Sequence, residues 1–122
     1  MRLLNPKEEQ IMQIIWRLKK AFVKEILDEI PPPKPPITTV SSIVRKLETE
    51  GWIGHEAFGK SHRYFPNIEK EAYRNSSLKE VIKKYFGGSP KKVLSYFLEE
   101  EKIEAKEVED LLEQIRQKKD NH

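Results

Sequence analysis

Apolar residues recur with a helical period along most of the chain, and one central stretch breaks the rhythm. Ile11, Ile14, Ile15 and Leu18 fall at i, i+3, i+4 and i+7, the buried stripe of a helix. Its start is marked twice. Asn5 can cap the orphan amides and Pro6 suits the first helical position, while Glu8 sits three residues past the cap, where its carboxylate can reach back. Val23, Ile26, Leu27 and Ile30 repeat the pattern in a second, shorter helix that must stop at Pro31. Five of the eight prolines lie in the next six residues, Pro31 to Pro36. Such a run often marks a linker or a ligand for aromatic-lined grooves, but amphipathic helices resume at once, which predicts a stiff connector.

A third helix is expected from Thr38 or Thr39, with Val40, Ile43, Val44 and Leu47 inward and Gly51 closing it in the left-handed conformation. Trp52 to Phe58 and Ser61 to Phe65 then read as two strands around the turn Gly59-Lys60. Three more helical stripes follow. Leu78, Val81, Ile82 and Tyr85 form the first, which ends at Gly87-Gly88; Val93, Leu94, Phe97 and Leu98 follow the restart at Ser89-Pro90. Ile103, Val108, Leu111, Leu112 and Ile115 form the last. Three helices and a ribbon, then more helices, predict a mainly α chain with a small β-wing. Residues 1–66 would be a winged helix-turn-helix and residues 67–122 a helical region. That second region has well-defined apolar faces but too little mass for a core of its own. Burying the stripes Leu78–Tyr85, Val93–Leu98 and Val108–Ile115 against a second copy predicts a homodimer with an isologous interface.

Charge sharpens this picture. The net charge of +3 is small, but residues 1–66 hold 11 Lys/Arg against 8 Asp/Glu, and residues 67–122 hold 12 of each. The basic excess therefore sits in the half with the wing. Opposite the apolar stripe of the third helix lie Thr38, Ser42, Arg45 and Thr49, flanked by Ser41 and Lys46. An ordinary solvated face would more commonly carry Glu, Lys and Gln. Short hydroxyls beside cations suit base edges and phosphates, so this face is read as the binding surface. Lys60, His62 and Arg63 gather at the ribbon tip, where they can meet phosphate.

Other chemistry is missing. The chain has no cysteine, which excludes disulfides and thiolate metal sites, and it has no Gly-rich phosphate loop or Gly-x-Ser-x-Gly. The histidines are His55, His62 and His122, and two on a ribbon without a third placed ligand read as surface residues. No metal, cofactor or enzymatic activity is expected. Glu99-Glu100-Glu101 reads as a solvated helix end. No window is apolar enough to insert into a membrane, and the N-terminal segment lacks a secretory pattern, which predicts a cytoplasmic protein. The competing function is a winged-helix protein-interaction module without specific DNA binding.

Several segments, in order, carry a family resemblance. They are LNPKEEQIMQIIWRL, VKEILDEI, PPITTVSSIVRKLETEGWI, GKSHRYFP and YFGGSPKKVLSYFLEEEKIEAKEVEDLLEQI. Residues 3–118 resemble the penicillinase repressor and methicillin-resistance repressor family (BlaI/MecI type), whose relatives include repressors of copper-transport operons. The resemblance implies a cytoplasmic homodimer that binds palindromic, double-stranded operator DNA and represses transcription. Its winged domain would place Thr39, Ser42, Arg45 and Lys46 in the major groove, with Lys60 and Arg63 on the backbone. It also implies an upstream sensor-protease system, whose signal leads to cleavage of an Asn-Phe bond. The aligned pair here is Tyr96-Phe97, without the asparagine, and the Cys-x-Cys ligands of copper-responsive members have no counterpart.

Overall fold

The computed structural model describes residues 1–100 and 103–120. Helix α1 (Pro6–Leu18) opens with both halves of the capping device in place. The Glu8 amide donates to Asn5 Oδ1 at 2.8 Å, and the Asn5 amide donates to Glu8 Oε1 at 2.9 Å. Each bond satisfies a donor that the helix start would otherwise orphan. Ile11, Ile14 and Ile15 are buried as the period predicts, and Met12, outside that stripe, is fully buried beside them.

Strand β1 (Ala21–Phe22) leads directly into α2 (Val23–Asp28). The prolines that follow carry no N–H, so few backbone donors remain for the last carbonyls of α2. Lys34 fills that gap. Its ammonium donates to the carbonyls of Leu27 at 2.9 Å, Asp28 at 2.9 Å and Ile30 at 2.6 Å, folding the Pro-rich segment back onto the helix end. The segment is thus a fastened connector.

Helix α3 (Ile37–Thr49) begins one residue before the expected start and ends where glycine allows it. Gly51 has φ +86°, its amide donates to the Glu48 carbonyl, and the Trp52 amide donates to the Leu47 carbonyl. This pair of bonds is the Schellman closure. Strands β2 (Ile53–Phe58) and β3 (Ser61–Pro66) then pair antiparallel, with Phe58 opposite Ser61. Gly59, at φ +61°, takes the first turn position, where a type II′ hairpin requires glycine. The sequence pattern predicts a ribbon of two strands, whereas the sheet has three, in the order β1-β3-β2. β1 pairs Ala21 with Tyr64 and Phe22 with Arg63, and two residues are too few to display alternation.

The core lies between α1, α2, α3 and the inner face of this sheet. Ile26, Val40, Val44 and Leu47 are fully enclosed, and Ile53 and Tyr64 close it from the strands. Leu18, Val23, Leu27 and Ile43, expected inside, are half-buried at its margin. The first turns of α4 (Lys70–Phe86) belong to the same body. Tyr73 packs 5.8 Å from the Trp16 ring and 5.5 Å from the Trp52 ring, and its hydroxyl accepts from the Leu4 amide at 3.0 Å. The first compact unit accordingly spans Met1–Ser77, past residue 66.

The second unit starts at Leu78. It holds the rest of α4, then α5 (Pro90–Glu99), capped by the Ser89 hydroxyl on the Lys92 amide, and α6 (Ala105–Asp120). None of its described residues is buried. Leu78, Val81, Tyr85, Leu94, Phe97, Leu111, Leu112 and Ile115 are 38–67% exposed, and Ile82, Val93, Leu98 and Val108 are half-buried. Glu101 of the acidic run and His122 lie outside the described residues. Among the described residues no helix is long and apolar enough to cross a membrane.

Candidate nucleic-acid interface

Helix α3 has one buried stripe, two flanks and one free face, and its charged residues divide accordingly. Lys46 and Glu50 lie on the flank toward α1. Lys46 Nζ is 3.2 Å from Glu8 Oε2, and the Arg2 guanidinium reaches Glu50 Oε2 at 2.6 Å. Glu48 lies on the flank toward the wing, where His55 Nδ1 hydrogen-bonds its carboxylate. Arg45 is left on the free face with Thr38 and Ser42, all exposed. Its side chain makes a long hydrogen bond, from Nε to the Ser41 carbonyl at 3.4 Å, and no ion pair among the described residues. Thr39, by contrast, is half-buried in a groove shared with Lys7 and Gln10 of α1.

Glu8 is the most unusual charge in the unit, at 1% exposure. It accepts from Arg2 at 2.9 and 2.7 Å, from the Asn5 amide and from Lys46. The Arg2 hydrogen bonds are the main cause that brings its pKa from 4.5 down to about 2. Burial opposes the shift, and the Asn5 amide and Lys46 add to it. Arg2 is correspondingly raised by its bonds to Glu8 and Glu50. Sequence spacing singles out Glu8 as a capping residue only. Nothing in the pattern tells that the same carboxylate also meets two cations.

The wing residues part company by strand alternation. Residues His55, Ala57, His62 and Tyr64 share the face toward α3, whereas Glu56, Phe58 and Arg63 share the outer one. His62 is exposed and stacks on His55, ring centres 4.0 Å apart and planes 8° apart. Tyr64 is buried, which raises its hydroxyl pKa; Glu48 adds to that and Arg45 opposes it. Arg63 stands opposite Phe22 and Glu56, half-buried, and its Nε has no hydrogen-bond partner among the described residues. Glu56 instead pairs with Lys20 at 3.2 Å. Lys60 occupies the exposed turn.

Between α3, the start of α2 and the wing lies an open cleft of about 800 Å³. Ser41 and Arg45 line it from α3, Lys60 and His62 from the wing, and Lys24 from α2. Lys24, which periodicity leaves as an ordinary surface lysine, thereby joins the candidate site. The cleft is lined by cationic groups and hydroxyls, by the Glu25 and Asp28 carboxylates of α2, and by aromatic rings that include Phe22 and Tyr64. Such a surface can hold phosphate oxygens by charge and leave short polar side chains to reach base edges. Among the described residues no three His, Asp or Glu side chains are placed to hold a metal ion.

The penicillinase repressor family profile matches residues 4–117. Methicillin resistance regulatory protein MecI of Staphylococcus aureus (strain N315) is 26% identical over 109 residues, 88% of this chain and 89% of the relative. The penicillinase repressor of Bacillus licheniformis is 21% identical over 121 residues, covering 95% and 91%. That of Staphylococcus aureus is 27% identical over 109 residues, covering 88% and 86%. With a match that takes in both compact units, the chain belongs to the penicillinase repressor family.

Proposed function

We propose that the protein is a transcriptional repressor that binds double-stranded operator DNA as a homodimer, with α3 in the major groove and the wing against the backbone. The observation that carries this is the division of charge on α3. Lys46, Glu48 and Glu50 are each paired with another element, and Arg45 faces outward beside Thr38 and Ser42 without an ion pair among the described residues. A guanidinium on a hydroxyl-lined helix face can bond a guanine edge with both ends of its fork or bridge two phosphates. Lys60 and His62 flank the same cleft from the wing. The names of the relatives, repressors and a regulatory protein of resistance, support the same reading.

The apolar stripes of the second unit, which one chain leaves open, support an assembly of two copies. A two-fold dimer places its two α3 helices on symmetric half-sites, so the preferred operator is palindromic. The test of the interface is Arg45→Ala titrated onto the operator duplex. Affinity is expected to fall by ~1–3 kcal/mol for each base that Arg45 no longer reads. Unchanged affinity would rule out a base-reading role for Arg45.

A further inference from the structure

On the side of α3 away from the wing, Arg2, Glu8, Lys46 and Glu50 form a cluster of two cations and two carboxylates. Arg2 is at its centre. It grips Glu8 with two bonds of 2.9 and 2.7 Å and Glu50 with two of 3.2 and 2.6 Å, joining the start of α1 to the end of α3. Lys46 closes the circuit on Glu8 from one turn earlier in α3. Glu8 cannot turn away to solvent, because its own backbone starts α1 and its carboxylate also holds the Asn5 amide.

We propose that Glu8 is a positioning residue for DNA reading: it holds Lys46, whose side chain is 58% exposed, as a strut between α1 and α3 and fixes the angle at which α3 presents Arg45. This rests on α3 being the DNA-reading helix. It reassigns Lys46, which the sequence pattern places among the DNA-binding residues. The cluster sums to zero charge, so it adds almost nothing to the attraction for phosphate. The ammonium of Lys46 pairs with a buried carboxylate that has no other place to go. On the opposite flank the Glu48–His55 bond holds α3 to the wing. The helix is therefore held from both sides by side chains, and the residue between the two flanks meets the DNA.

A phosphate-binding cation and a strut leave different marks on salt dependence. Removing one phosphate-binding cation lowers the slope of log K against log salt by ~0.9, and a dimer forfeits two together. The experiment titrates wild type, Lys46→Gln, Glu8→Gln, the double variant, Arg45→Gln and Lys60→Gln onto a labelled duplex from upstream of the protein's own gene, and onto a scrambled duplex. Lys46→Gln and Glu8→Gln are each expected to weaken operator binding several-fold and to narrow the preference over the scrambled duplex, with the wild-type salt slope kept. The double variant is expected to be no worse than the weaker single one, and Lys46→Arg to restore binding. Arg45→Gln should narrow the preference for the operator, and Lys60→Gln, at the exposed turn of the wing, should flatten the slope. Arg2→Gln, at a site 38% exposed, tests the same strut if Glu8→Gln does not fold. A flattened slope for Lys46→Gln, or losses that multiply in the double variant, would overturn the proposal while leaving the DNA reading intact. Wild type that binds neither duplex at low salt would overturn both.

Discussion

Glu8 shows how one side chain can serve local and long-range structure together. As the third residue of α1 it caps the helix, and as a buried carboxylate it pairs with both Arg2 and Lys46. Its folded pKa of about 2 lies below the ordinary 4.5, so the folded state prefers the charged form. The resulting stabilisation is complete above the unfolded value and is lost as pH falls from about 4.5 through about 2. Its size is at most roughly 3 kcal/mol, from the free-energy equivalent of one pKa unit. Urea unfolding of wild type and Glu8→Gln from neutral pH into acid should show a gap that narrows as Glu8 protonates. A gap of constant size would mean that Glu8 is not the charged partner described here.

At the scale of elements, the helices were legible because their signals are local. Asn5-Pro6 with Glu8, and Gly51 after Leu47, state the bounds of α1 and α3 in a few residues each. The free face of α3 followed from its period alone, since Thr38, Ser42 and Arg45 oppose the buried Val40, Val44 and Leu47. Pairings between distant residues were not legible. β1 has only Ala21 and Phe22, and its existence depends on the far edge of β3. The contrast between His62 and Arg63 depends on register, which separates neighbours that the sequence shows as one basic cluster. The Pro-rich connector is intermediate. Its stiffness was readable, but the three carbonyls gathered by Lys34 were not. Replacing Lys34 with Met removes the charged donor from the end of α2 and should destabilise the first unit by about 1–2 kcal/mol. Thermal unfolding checks this, and an unchanged midpoint would mean that the prolines alone hold the turn.

For the whole molecule, the two units differ in what they can do alone. The first has an enclosed core in which Tyr73 joins Trp16 and Trp52. Among the described residues the second has none, and its Leu111, Leu112 and Ile115 stay open to solvent. Apolar residues spaced along one helix in this way are expected to bury against a second copy. Leu111→Glu with Leu112→Glu should convert a dimer to a monomer in sedimentation and lower operator affinity by removing the second half-site. A wild-type monomer at micromolar concentration would contradict the dimer. The most direct test of the central claim, that α3 and the wing read DNA, is a fluorescence-anisotropy titration of the wild-type protein. It compares the upstream palindrome of its own gene with a scrambled duplex across a salt series. Binding that prefers the palindrome by at least tens-fold and weakens steeply with salt is the expected result. Equal, weak binding to both duplexes would contradict the assignment and point to a protein partner for the same face.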